Sequence, residues 1–215
     1  MIGWAPPAFG LLERVKPPLT TVSQWAEDRE VRNTRILARL SSSGDDRLDF
    51  LSFQKTMSEV SAGVLAGSFG SLELTGTENP AVAQRHGIWE CHGDQTVPTV
   101  RNIDDLLVGG QNSTVGTTHS HRPTDVDSLV AQARAVAAAS PSEEIHGWTD
   151  VFRNAFKQVL ADPLQLGNII LVQFCPDTGS PAFFVPFCQA FGSKSAPVNF
   201  SRFLALYCSW QQALC

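Results

Sequence analysis

The stretch Gln189-Ala190-Phe191-Gly192-Ser193-Lys194-Ser195-Ala196-Pro197-Val198-Asn199-Phe200-Ser201-Arg202-Phe203 governs how the rest of the chain is read. Phe191-Gly192 reads as a turn in which glycine lets the backbone approach a ligand closely. Lys194 adds a positive charge beside that turn. Phe200, Phe203, Leu204 and Tyr207 recur at helical spacing, which predicts a helix packed on a sheet. By periodicity alone the stretch is better read as an ordinary loop followed by a core helix. Just upstream, residues 168–174 form an apolar run that predicts a buried strand, 176–180 a turn, and 182–187 the returning strand. The hairpin leads directly into the glycine turn.

The bulk numbers set limits. At 215 residues, with 43% hydrophobic and 17% charged residues, the chain can build one domain or two small ones around a core. Its net charge of −5 argues against a broadly basic nucleic-acid surface, though not against a local basic groove. The five cysteines, Cys91, Cys175, Cys188, Cys208 and Cys215, are scattered and odd in number, as in a reduced intracellular chain of cytoplasm or nucleus. No apolar run reaches the ~18 residues of a membrane span, so no membrane association is expected. The opening residues carry no recognisable targeting pattern.

Working outward, residues 1–20 are proline-rich and predicted irregular. A helix is predicted over 21–40 and a loop over 41–46, with Asp45 or Asp46 capping the helix that follows. That amphipathic helix, with Phe50, Phe53, Met57, Val60 and Val64 in steps of three and four, is predicted from about Arg47 to Leu65 and to end at Gly67. Alternation and turn chemistry predict a hairpin from 85–89, a turn at 93–95 and a strand over 99–105. Asp104 and Asp105 are adjacent, so on a strand they face opposite sides, and one of them is structural. Residues 111–124 read as loop and 125–139 as a helix capped by Thr124 or Asp125. Cys91, His92, His119 and His121 fit no familiar zinc spacing and read as exposed loop residues.

Stretch 189–203 resembles the P-F-G-x-K-S-A-P-x-x-F-x-R box of reverse transcriptases, the RNA-directed DNA polymerases. Three other runs resemble the same family. Arg101-Asn102-Ile103-Asp104-Asp105, with Asn112 beyond it, is similar to the fingers segment R-x-I-D-D-x-x-x-x-x-x-N. Gly147-Trp148-Thr149-Asp150-Val151-Phe152-Arg153-Asn154-Ala155-Phe156-Lys157-Gln158-Val159 is similar to the palm motif W-x-x-D-L-x-x-A-Y-K-Q. Residues 55–67 resemble a T-x-x-E-V-x-x-G-x-L-x-G-P run of retroelement polymerases, including those abundant in dinoflagellate genomes. Ser68 stands where that pattern has proline. The resemblance covers about residues 50–205.

The resemblance implies an α+β chain: a partial right-hand polymerase fold of fingers and incomplete palm, with an antiparallel sheet packed against helices. Residues 1–45 would be an N-terminal extension, 46–146 fingers-like, and 147–215 a partial palm. It implies that Arg101 grips the triphosphate, and guanidinium suits this because it makes bidentate, charge-assisted bonds to phosphate oxygens. The other reading of Arg101 is a surface arginine paired with Asp104 or Asp105. Phe156 would be the sugar gate that favours deoxynucleotides. Phe191 and Gly192 would line the nucleotide pocket, with Lys194 beside them. Asp150 would be the catalytic ligand for Mg2+. The implied partners are an RNA or DNA template-primer and deoxynucleoside triphosphates.

Two departures qualify the implied activity. Aligning Trp148, Ala155, Phe156, Lys157 and Gln158 puts Val151 rather than Asp150 at the metal-ligand position. A one-residue slip turns a strand side chain to the opposite face, so either a bulge re-aims Asp150 or the metal site is damaged. Tyr-x-Asp-Asp, the family's second acidic motif, does not occur; the single tyrosine is Tyr207. Two-metal phosphoryl transfer needs several converging carboxylates. The expectation is therefore a reverse transcriptase fragment that does not polymerise alone. The alternative is a degenerate or exapted module that binds nucleic acid or protein.

Overall fold

A computed structural model describes residues 11–91, 97–121, 126–139, 141–142, 144, 155–197 and 199–200. In chain order its elements are β1 (Leu11–Lys16), α1 (Val22–Glu27), α2 (Arg29–Arg39), α3 (Asp46–Ser61), β2 (Leu65–Phe69), β3 (Val82–Glu90) and β4 (Thr99–Asp105). There follow β5 (Thr117–His121), α4 (Val126–Ala139), β6 (Ile170–Cys175) and β7 (Ser180–Pro186). The chain divides into two compact units. One comprises residues 17–116 and 156–196, the other residues 1–16, 117–155 and 197–215.

The first unit is α+β and is built on a five-stranded sheet of order β2-β7-β6-β3-β4. Both expected hairpins are present. β3 pairs with β4 from Gln84↔Asp105 to Glu90↔Thr99, and β6 with β7 from Leu171↔Phe184 to Cys175↔Ser180. The expectation of an antiparallel sheet is corrected: β3 and β6 pair in parallel over Val82↔Ile170 to Gln84↔Val172, so the sheet is mixed. Parallel pairing needs a long connection, which the chain between β3 and β6 supplies.

Both faces of the sheet are covered. Ile170, Val172, Phe183 and Val185 pack with Val82 and with Ile36 of α2. The alternate residues Leu171, Phe184 and Ala83 face the other way, against Phe53, Met57 and Val60 of α3. This two-sided burial is why Ile170-Leu171-Val172 reads as an unbroken apolar run rather than an alternating one. Asn33 ties α2 to the sheet: its side-chain amide donates to the Pro80 carbonyl at 2.8 Å and its carbonyl accepts the Val82 amide at 2.9 Å.

The helices differ from expectation in instructive ways. The helix predicted over 21–40 is broken at Asp28 into α1 and α2. The Arg32 guanidinium binds the Trp25 carbonyl, which a continuous helix would offer to an amide four residues on. Buried Trp25 is also fixed through its indole N–H, which donates to the Gly109 carbonyl at 3.1 Å. α3 is capped as expected, by Asp45, whose carboxylate accepts the Leu48 amide at 3.0 Å. It ends at Ser61, however, and not near Gly67. Gly63 takes φ +71°, its amide bonds to the Val60 carbonyl, and the Val64 amide reaches back to Glu59 at 3.0 Å. This paired closure terminates helices. It frees Leu65 to pair with Pro186 as the start of β2.

In the second unit, two segments expected to be irregular are strands. β1 and β5 pair antiparallel from Leu11↔His121 to Lys16↔Thr117, with an irregularity between Glu13 and Lys16. α4 forms where the sequence predicts it. The caps proposed for it at Thr124 and Asp125, the 93–95 turn, His92 and the helix positions beyond Phe200 lie outside the described residues. Among the described residues Cys91 is exposed, Cys175 and Cys188 are buried, and none of the three is in a disulfide. No described helix is long and apolar enough to cross a membrane.

Candidate functional site

The inward face of α3 is polar where its neighbours are apolar. Ser52 and Thr56, one turn apart, are fully buried. The Ser52 hydroxyl donates to the Asn102 side chain at 2.8 Å and accepts from Gln173 at 2.7 Å. Thr56 donates to the Gln173 carbonyl oxygen at 2.7 Å and accepts from Asn102 at 2.9 Å. Each group has a partner, which is what makes burial of such side chains tolerable.

Beside this cluster lies an ion network set by strand register. Arg85 of β3 is directly opposite Asp104 of β4. Its guanidinium grips that carboxylate in a fork, Nε to Oδ1 at 2.6 Å and Nη2 to Oδ2 at 3.1 Å. The remaining terminal nitrogen of Arg85 donates to Glu59 at 2.8 Å. Glu59 in turn binds the Lys157 ammonium. Asp104 and Arg85 are both almost wholly buried. The expectation that one aspartate of the Asp104-Asp105 pair is structural holds for Asp104. Asp105 faces the other way and accepts the Leu107 and Val108 amides at 3.1 and 3.0 Å.

Burial pushes the Glu59 carboxyl up, but Arg85 and Lys157 outweigh it and hold it below its ordinary value of 4.5. A carboxyl with a depressed folded pKa stabilises the fold above its unfolded pKa, and that stability is lost as pH falls through the folded pKa. Glu59→Gln is therefore expected to flatten the acid side of the stability profile. Urea midpoints taken from about pH 7 to about pH 3 measure this, and an unchanged acid slope would contradict it.

Lys157 reaches this place because residues 159–161 run beside 187–189. The Gln189 amide bonds to the Val159 carbonyl at 2.9 Å and the Ala161 amide to that of Phe187 at 3.0 Å. The Lys157 ammonium then lies 5.5 Å from the centre of the Phe191 ring. The Arg101 guanidinium lies 5.9 Å from the same ring. Cations over aromatic faces are attracted by the ring quadrupole. Arg101 is 48% exposed and its partner is Glu90, Nη1 to Oε1 at 3.2 Å, rather than Asp104 or Asp105.

The turn that follows Phe191 is held from two sides. Asn112 donates to the Gly192 carbonyl and accepts the Lys194 amide, each at 2.8 Å. Gly192 lies on the edge of β4, where a Cβ would come within 2.0 Å of the Asp104 carbonyl oxygen. The Lys194 ammonium donates to the Val115 carbonyl at 3.0 Å. At the other end of β4, Lys55 donates to the Val100 carbonyl at 2.8 Å. The edge strand β4 thus has Gly192 packed against one end and the Lys55 ammonium bonded to a carbonyl near the other.

Of the residues singled out from the sequence, Arg101 and Phe191 meet, Gly192 seats the turn on β4, and Lys194 belongs to the same turn. Phe156 is in the 3-10 turn Ala155–Gln158 that carries Lys157, but its side chain lies outside the described residues, as does Asp150. Lys157, Glu59 and Arg85 were not singled out. Lys157 stands inside the quoted palm-like run, and the alternation of β3 and β4 places Arg85 and Asp104 on one face. The link through Glu59 has no local signal.

Among the described residues, no three His, Cys, Asp or Glu side chains gather to hold a metal ion. The buried carboxylate of Asp104 is already committed to Arg85. Chemically, the arrangement is an exposed guanidinium and an ammonium flanking an aromatic ring, on a turn fixed by backbone bonds. That suits an anion attached to a flat group. No family model, curated protein or solved structure matches the chain.

Proposed function

We propose that this chain is the fingers and partial palm of a retroelement reverse transcriptase, and that the Arg101–Phe191 site binds the triphosphate of a deoxynucleotide. What supports this reading is convergence. Arg101 with Asn112, Lys157, and Phe191-Gly192 come from three separate runs of the sequence, each resembling a different segment of the same family, and they meet around one turn. In this reading Arg101 takes the phosphate oxygens in a bidentate grip. Phe191 positions the guanidinium, and Asn112 fixes the backbone that bounds the pocket. Magnesium, if held as in the parent family, would supply charge neutralisation at the phosphates. In this reading Asp150 would be the metal ligand, as the palm-like run implies. The full chain is not expected to extend a primer by itself.

Arg101→Gln is expected to weaken binding of deoxyadenosine triphosphate about ten- to a hundredfold, the worth of a charged bidentate contact, while leaving binding of deoxyadenosine unchanged. Titration calorimetry at low salt measures both. Equal triphosphate affinity in the two proteins would remove Arg101 from the site. The alternative, a degenerate or exapted nucleic-acid- or protein-binding module without nucleotide chemistry, is favoured by the one-residue slip of Asp150 within the palm-like run. It predicts salt-sensitive binding of primer–template with no triphosphate affinity.

A further inference from the structure

Strand register places Glu90 and Arg101 on the same face of the β3–β4 hairpin. Glu90 is opposite Thr99 and Ile88 is opposite Arg101, so Glu90 and Arg101 are diagonal neighbours. Long side chains bridge such a diagonal. The contact is a single one, at 3.2 Å, between side chains that are 48% and 28% exposed. It differs in kind from the buried fork between Arg85 and Asp104, and from the Lys157–Glu59 pair, whose side chains are 11% and 12% exposed. Of Arg101 and Lys157, Arg101 is therefore the one whose contact with the carboxylate seen here is the weaker and more exposed.

We propose that Glu90 is a built-in competitor at this site: its carboxylate occupies Arg101, and an incoming polyphosphate must displace it. The inference rests on the reading of Arg101 as a phosphate-binding residue. The guanidinium has five donors in a planar fork, and a phosphate can take two in parallel where Glu90 takes one. A triphosphate therefore wins the exchange. The displaced carboxylate remains nearby and repels the ligand, so the device lowers affinity for every anion and leaves useful occupancy to those with several charges. No bond is made or broken.

The test uses the full-length chain and four proteins: the wild type, Glu90→Gln, Arg101→Gln and the double variant. Each is titrated with deoxyadenosine triphosphate and with inorganic tripolyphosphate at low salt. Glu90→Gln is expected to bind both ligands about two- to fivefold more tightly than the wild type, as follows from releasing an exposed ion pair. The gain should vanish in the Arg101→Gln background. A gain cannot come from damage to the fold, so it reports competition directly. Unchanged or weaker binding by Glu90→Gln, with the wild type still binding through Arg101, overturns the inference and leaves the nucleotide site standing. A gain that persists in the Arg101→Gln background also overturns it, because it would be a general charge effect. If neither the wild type nor Glu90→Gln binds either ligand, the nucleotide reading fails and the inference fails with it.

Discussion

Arg85→Met is expected to cost about 3–5 kcal/mol of stability, the loss seen when one partner is removed from a buried ion pair. Arg85 is 3% exposed and serves two carboxylates, Asp104 and Glu59. Methionine fills much of its volume but leaves the Asp104 carboxylate buried without its charged partner, and an uncompensated buried charge is the costly species. Lys157 still meets Glu59, so the damage should centre on Asp104. Replacing both members with apolar residues, as Arg85→Met with Asp104→Leu, should be less destabilising than Arg85→Met alone. Urea unfolding of the single and double variants decides the matter. A single-variant loss below about 1 kcal/mol, the value of an exposed pair, would mean that the network is not buried in solution.

Gly192→Ala is expected to destabilise the fold by about 3 kcal/mol or more and to abolish binding at the Phe191 site. The clash is with backbone: the new methyl would lie 2.0 Å from the Asp104 carbonyl oxygen, on a strand fixed by its pairing with β3. Overpacking of a rigid surround typically costs about 1–3 kcal/mol even where side chains can yield. Here the alternative to strain is to lift the turn away from β4, which breaks the bonds from Asn112 to Gly192 and Lys194 and carries Phe191 away from Arg101. Urea midpoints and triphosphate titration of the same variant separate the two outcomes. A variant of wild-type stability that still binds would show that the turn does not lie against β4.

Much of the sheet is legible in the sequence because its signals are local. The β3–β4 hairpin follows from alternation, and β6–β7 from two apolar runs around a Pro-Asp-Thr-Gly turn. The Asp45 cap stands one residue before α3, where the helix-start pattern places it. What fails locally fails for identifiable reasons. Val64 continues the three- and four-residue spacing of Phe53, Met57 and Val60, so the spacing predicts a longer α3. The positive φ of Gly63 ends it, and the pairing of Leu65 with Pro186 decides the next segment. The strands β1 and β5 lie in proline-rich and Ser/Thr/His-rich stretches, and exist through each other.

The candidate site divides the same way. Sequence by itself determined that a glycine turn with Phe191 and Lys194 follows the β6–β7 hairpin, that Arg101 lies on a strand, and that Asp104 and Asp105 face apart. Side-chain type and a period of two suffice for those statements. Only the tertiary structure decided that Arg101 and Lys157 share the Phe191 ring, that Arg101 pairs with Glu90, and that Ser52 and Thr56 are core residues. The parallel pairing of β3 with β6 was also decided at that level. Each of these depends on which distant group arrives to offset a desolvated polar atom or charge, and no local pattern in the chain carries that information.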